Sequence, residues 1–228
     1  MRDWASIGSA RAPVIPSSVG MKVFLVHIRD PQFYAIPGNV RGKNGRLQVM
    51  GFPPIGIMSL SSVLKRAGHT VRLFDQANPE TPNDFIVSEV EREKPDLIGL
   101  SFLSTTSYPY AKILARSLRA AAPEVKIAFG GVFVTLNAEH VKRQVPEVDF
   151  VCRGDGEQLI LDLLANLDDP SGVLGVTWQD AAGNLRHNPP RMLDRNLDQW
   201  PFPDRESLEL DFVESMPIVK TTALSPGT

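Results

Sequence analysis

The feature that most constrains this chain is a repeated switch between two hydrophobic periods. Short apolar, β-branched runs of strand length alternate with stretches whose apolar residues fall at helical spacing. Residues 22–28 (KVFLVHI) read as a strand. Residues 55–67 (IGIMSLSSVLKRA) carry apolar residues at 57, 60, 63, 64 and 67, and Gly68 is placed to end a helix. A strand at 70–75, a helix at 83–93 with Asn83 as its N-cap, a strand at 96–102 and a helix at 107–121 follow. A strand at 125–129, a short helix around 137–145, a strand at 148–152 and a helix at 156–166 complete the alternation. Strands joined through helices pair in parallel, because each crossover brings the chain back in the same direction. Near-continuous apolar strands fit a sheet covered on both faces. The expected fold is α/β: a doubly wound, flavodoxin-like or Rossmann-like sheet of five parallel strands in the order 2-1-3-4-5.

The flanks read differently. Residues 1–20 have no apolar period and no continuous apolar run of the signal-peptide kind, so they are expected to form a flexible arm, with Met21 opening the folded part. Residues 21–167 make the expected α/β domain. Beyond it, VLGVTWQDAAGNLRHN reads as a β-hairpin around an AGN turn. Pro189, Pro190, Pro201, Pro203, Pro217 and Pro226 then crowd the remainder, so 168–228 is expected to be a hairpin plus an extended connector.

Composition removes several function classes. With 24 Lys+Arg against 26 Asp+Glu, the chain lacks the basic surplus that grips phosphate backbones, so no nucleic-acid partner is expected. Its single cysteine, Cys152, cannot form a disulfide framework or an all-cysteine zinc or iron–sulfur site. No apolar run approaches the ~18–20 residues of a membrane span, and a cytoplasmic protein is expected. Neither G-x-G-x-x-G after the first strand nor G-x-x-x-x-G-K-[ST] occurs, which excludes the usual dinucleotide and P-loop sites.

In a doubly wound sheet ligands bind beyond the carboxyl ends of the strands. The first strand is followed by a long excursion containing Arg41, Lys43 and Arg46, which reads equally as an anion-binding segment or a solvated loop. After the third come Ser101, Ser104, Thr105, Thr106 and Ser107. One hydroxyl suffices to cap the next helix, and the others suit neutral polar groups or a phosphate. After the fourth, Gly130 and Gly131 in GGVFVT permit positive φ and close approach of a ligand. After the fifth, Gly154 and Gly156 flank Asp155 and Glu157, acids that also favour a helix N-terminus. Together these loops describe an open shelf for a large ligand. His27, His69, His140 and His187 are scattered and read as structural or solvated, and Cys152 as a buried small hydrophobe.

The succession GFPPIGIMSLSSVLKRAGHTVRLFD, PDLIGLSFLSTTS, KIAFGGVFVT, VDFVCRGDGE and VTWQDAAGNLRHNPPR…LDQWPFPDR resembles the cobalamin (B12)-binding N-terminal domain of B12-dependent radical S-adenosylmethionine (SAM) proteins, the class that includes anaerobic Mg-protoporphyrin monomethyl ester cyclase. The likeness runs over roughly residues 21–205. It implies that Ser101, Ser104, Thr105, Thr106, Gly130, Gly131, Gly154, Asp155, Gly156 and Glu157 line the nucleotide tail and corrin edge of a cobalt-bearing cobalamin. The family's G-G-x-H-x-T stands here with Phe133 for the histidine and with Thr135 retained, and Phe133 is placed to pack on the corrin. No D-x-H-x-x-G occurs, so a histidine ligand supplied by that motif is excluded. The C-x-x-x-C-x-x-C that opens the radical SAM barrel is also absent. The resemblance therefore implies cobalamin binding without radical SAM activity from this chain alone. It reads as a truncated or split enzyme of methyl transfer, radical rearrangement or cyclisation, with [4Fe–4S] and SAM coming from a partner barrel. The alternatives are a non-catalytic cobalamin carrier or sensor, or a flavodoxin-like domain for another phosphate-bearing cofactor such as FMN.

Overall fold

A computed structural model describes residues 20–30, 53–78, 80–194 and 196–208. Residues 1–19 of the expected arm, the basic residues Arg41, Lys43 and Arg46, and the chain after Leu208 lie outside the described residues.

Five parallel strands form the centre: β1 (Lys22–His27), β2 (Thr70–Asp75), β3 (Leu97–Ser101), β4 (Lys126–Gly130) and β5 (Phe150–Cys152), in the order 2-1-3-4-5. Helices α1 (Ile55–Arg66), α2 (Asn83–Glu93), α3 (Tyr108–Ala121), α4 (Val132–Gln144) and α5 (Glu157–Leu164) make the crossovers and the cover. The hairpin is not a separate appendage. Its strands β6 (Val176–Gln179) and β7 (Leu185–His187) continue the same sheet antiparallel beyond β5, so the sheet has seven strands among the described residues. Asn188 secures the hairpin. Its Nδ2 donates to the carbonyls of Pro170 (2.7 Å) and Val173 (2.8 Å), and its Oδ1 accepts from Trp178 Nε1 at 3.2 Å.

Side chains alternating along the strands feed two cores. One face carries Phe24, Val26, Ile98, Leu100, Ile127, Phe129 and Val151 under α2, α3 and α4. Helix α3 meets it with Ala111, Leu114, Ala115 and Leu118, an i, i+3, i+4, i+7 stripe. The other face carries Val23, Leu25, Leu97, Ala128 and Phe150 under α1 and α5. Each large side chain so buried stabilises the fold by about 1.5–3 kcal/mol. Among the described residues no helix is long and apolar enough to cross a membrane.

Local signals decide where helices stop. Helix α1 ends in a Schellman arrangement: Gly68, at φ +91°, donates to the Lys65 carbonyl, and His69 donates to that of Leu64, both at 3.0 Å. Two expectations require correction. Asn83 is the first residue of α2 and not its cap; Pro82 precedes the helix, and Asn83 Oδ1 accepts from Gln76 Nε2 at 2.7 Å. Helix α4 begins at Val132, five residues before the expected 137, and is kinked at Asn137 (φ −130°, ψ 24°). The Asn137 side chain donates to the Phe133 carbonyl at 2.8 Å, a local bond that competes with the helix ladder.

Candidate functional site

The strand alternation that fills one face with aromatic rings strips the other of bulk at the carboxyl ends. On the α1/α5 face the strand ends present Gly99 and Ser101, Ala128 and Gly130, and Cys152. On the opposite face the same region presents Leu100, Phe102, Phe129 and Val151. The result is a cleft of about 250 Å³ floored by small residues and backbone. Gly56, Ile57 and Leu60 of α1 wall it on one side, Leu159 and Ile160 of α5 on the other, and Leu25 lies beneath. Pockets that enclose a whole small ligand run to about 300–1,000 Å³, so this cleft fits one arm of a larger molecule whose body lies outside it. A Cβ added to Gly56, Gly130 or Gly154 would meet no atom within 4 Å, so bare backbone faces open space along the rim. Leu103 and Val132, which follow β3 and β4, are 61% and 57% exposed.

Of the residues expected to form the site, Ser101, Gly130, Gly131, Gly154, Asp155, Gly156 and Glu157 line this cleft. The two members of the Gly-Gly pair do different work. Gly130 faces the cleft, whereas Gly131 has φ +105° and ψ 179°, and a Cβ there would lie 2.2 Å from the Phe102 carbonyl oxygen. The close approach that demands glycine is thus made by the protein's own backbone.

The rest of the hydroxyl-rich loop is engaged elsewhere. Ser104 Oγ donates to Asp30 Oδ2, Thr106 Oγ1 donates to Asp30 Oδ1 at 2.6 Å, and the two hydroxyls lie 2.7 Å apart. Asp30, just beyond β1, is buried, so these hydroxyls tie the β1 and β3 ends together. Thr105 is exposed and outside the cleft lining. Ser107 directly precedes α3 but makes no side-chain cap; its N–H donates to Ser104 Oγ at 3.3 Å. Thr135 is a strut between glycine loops, donating to the Gly131 carbonyl at 3.0 Å and accepting from the Gly154 N–H at 3.1 Å.

Phe133 also points away from the cleft lining. Its ring lies 5.0 Å from that of Tyr108 and 5.9 Å from that of Phe102. Tyr108 Oη is buried without a hydrogen-bond partner among the described residues, and burial raises the phenol's pKa. An orphaned buried hydroxyl costs about 1–3 kcal/mol. Tyr108→Phe is therefore expected to be neutral or to stabilise by about 1 kcal/mol, measured by urea denaturation; a loss of stability would reveal a partner for the hydroxyl.

None of the four histidines lines the cleft. His27 Nδ1 is 2.9 Å from Asp75 Oδ1, His69 Nδ1 accepts from the Met21 N–H at 3.2 Å, and His187 Nδ1 is 2.8 Å from Thr177 Oγ1. Cys152 does reach the cleft floor, where burial pushes its thiol up to about 12 and keeps it protonated and inert. Gly99, Ala128 and Cys152 of the floor and Gly56, Ile57 and Leu60 of the α1 wall lie outside the loops and were not among the expected site residues. Their signal was glycine and serine alternating with large apolar residues inside a strand, as in LIGLSF.

Known proteins resemble the chain in sequence and in fold. A sequence profile described as B12 binding domain matches residues 50–164. An uncharacterised methyltransferase of Pyrococcus horikoshii is 31% identical over 163 residues, 70% of this chain and 35% of that protein. Anaerobic magnesium-protoporphyrin IX monomethyl ester cyclase of a Synechocystis species is 33% identical over 131 residues, 56% of this chain and 26% of that protein. The chain thus spans about a quarter to a third of the length of these curated relatives. The cobalamin-dependent SAM radical enzyme OxsB, solved with aqua-cobalamin and SAM, superposes with a TM-score of 0.65 over 82% of this chain and 24% of its own, at 22% identity. The radical SAM methyltransferase TsrM of Kitasatospora setae, solved with cobalamin and a [4Fe–4S] cluster, gives 0.60 over 80% and 31%, at 15% identity. Both carry this fold as part of a longer chain. With its parallel sheet, its glycine-lined cleft and a profile match over half its length, the chain belongs to the B12-binding domain family.

Proposed function

We propose that the cleft between α1 and α5 receives the nucleotide arm of cobalamin, and that the chain serves as the cobalamin-holding part of a B12-dependent radical SAM enzyme. The observation that carries this reading is the sheet floor stripped to Gly99, Ser101, Ala128, Gly130 and Cys152 beneath two apolar helix walls. Ser101, Gly130, Gly131, Gly154, Gly156 and Glu157 would hold the arm, and the exposed Leu103 and Val132 would meet the ring system. Ser104, Thr106 and Thr135 keep those loops in place through Asp30, Gly131 and Gly154. Bound cobalamin supplies alkyl-transfer and radical chemistry that side chains lack. The protein's own contribution is to bind and orient it, with apolar walls that exclude water from the buried arm. The unit that does this is residues 21–167 with the hairpin added to its sheet, and the rest of 168–228 leads toward a radical SAM barrel, in the same polypeptide or in another.

Protein mixed with hydroxocobalamin and desalted is expected to retain corrin absorbance at close to one equivalent. A colourless protein would overturn the proposal, and a yellow one purified with flavin would favour a flavodoxin-like site.

A further inference from the structure

Helix α1 is held from two sides. Its inner face walls the cleft through Ile57 and Leu60, and Leu60 sits so near Gly156 that a Cβ there would lie 2.9 Å from its Cδ2. Its outer face carries the connector, and Asp204 is the centre of that attachment. The Asp204 side chain is only 8% exposed. Its Oδ2 accepts from Ser61 Oγ at 2.6 Å and from Lys65 Nζ at 2.7 Å, and its Oδ1 accepts from the Ser207 N–H at 3.1 Å. Its own N–H donates to the Met58 carbonyl at 3.0 Å. On either side, Ser62 Oγ donates to the Phe202 carbonyl at 2.6 Å and Arg66 donates to that of Gln199 at 2.7 Å, with its guanidinium 5.6 Å from the Trp200 ring centroid. Leu208 then enters the core that α1 and α5 share.

This attachment is stronger than an exposed ion pair. Ser61 is fully buried within α1, so losing Asp204 would leave its hydroxyl without this acceptor in the core. Burial pushes the Asp204 carboxyl up, but the bonds from Lys65, Ser61 and Ser207 outweigh it and hold the group at about 2. A carboxylate depressed in this way stabilises the docked state above its unfolded value of about 3.9. That contribution declines progressively once the pH falls below about 3.9 and is lost as it passes through about 2.

One helix therefore bears on the cofactor cleft and on the connector. We infer that Asp204 is a positioning residue for the cleft, and that cobalamin occupancy and connector docking are linked through α1; this rests on the functional reading above. A group seated against Ile57 and Leu60 fixes the helix and holds Ser61, Ser62, Lys65 and Arg66 in register for the connector. The reverse also follows, because a coupling between two binding equilibria is the same in both directions.

The test uses the full chain, with hydrogen exchange over residues 196–208 measured with and without saturating hydroxocobalamin, and affinity read by visible titration. In the wild type, hydroxocobalamin is expected to slow exchange in 196–208 about fivefold or more, within the usual range of such couplings. Asp204→Asn is expected to weaken hydroxocobalamin binding by about the same factor and to abolish the slowing, while amides of β1, β3 and β4 keep their protection. A wild type that binds hydroxocobalamin without any change in 196–208, or an Asp204→Asn variant of unchanged affinity, overturns the linkage. Should Asp204→Asn lose protection in the central strands, Ser62→Ala takes its place, since it removes one bond to the connector on the helix surface. Its affinity is expected to fall two- to threefold, and unchanged affinity with unchanged exchange overturns the linkage. Failure of the wild type to bind any corrin instead overturns the functional reading on which the inference stands.

Discussion

Gly131→Ala is expected to lower the free energy of unfolding by about 2–6 kcal/mol, the sum of two penalties that no rotamer can avoid. At φ +105° and ψ 179° the residue occupies a region open almost only to glycine, which costs a non-glycine residue about 1–3 kcal/mol. The added Cβ also meets the Phe102 carbonyl oxygen at 2.2 Å, and forcing atoms into a packed site costs about a further 1–3 kcal/mol. Domains of this size have only about 5–15 kcal/mol in hand, so the urea midpoint followed by circular dichroism should fall steeply. Its neighbour is the control. A Cβ at Gly130 meets nothing within 4 Å, and Gly130→Ala should unfold within about 1 kcal/mol of the wild type. Equal stability of the two variants would mean that the β4–α4 junction does not have the backbone described.

Gly130→Val should separate folding from binding. Valine suits a strand, and alternation places this side chain on the same face as Ala128, projecting into the cleft. Stability is expected to stay within about 1 kcal/mol of the wild type. Hydroxocobalamin affinity should fall about tenfold to a hundredfold, the equivalent of the 1–3 kcal/mol that overpacking costs. Visible titration reads the binding and urea denaturation the folding. Wild-type affinity in a folded Gly130→Val protein would move the nucleotide arm out of the α1/α5 cleft.

How much of this was legible in the residues depends on the range of the interaction. The parallel pairing of the five strands followed from local alternation and the crossover rule, and their order from the common flavodoxin-like arrangement of doubly wound sheets. The hairpin's place at the β5 edge was not, because it depends on Asn188 reaching back to Pro170 and Val173. The start of α4 was hidden by its composition: VFVT after two glycines reads as extended, yet helical turns follow directly on the Gly131 backbone. In the loop after β3 the hydroxyls were visible, but their acceptor, Asp30, lies 74 and 76 positions away from Ser104 and Thr106. Phe133 matched a family position in register while its ring turned toward Tyr108 and Phe102. Of the cleft floor, Ser101 and Gly130 stood out at strand ends, whereas Gly99 and Ala128 are written in every second residue of the strands and not in the loops that follow them.

The antiparallel hairpin also has a consequence for biosynthesis. Strand β5 ends at Cys152, but β6, which covers its edge, ends only at Gln179, and β7, which pairs with β6, at His187. At about 5–20 residues per second a ribosome needs a few seconds to add that stretch. During that interval a nearly complete parallel sheet presents β5 with its hydrogen-bonding groups open, the kind of edge that recruits a strand from another chain. The residues that end this exposure belong to the segment that leads toward the connector. A nascent chain halted between α5 and β7 would therefore be prone to associate with its neighbours on the polysome, whatever its cofactor supply.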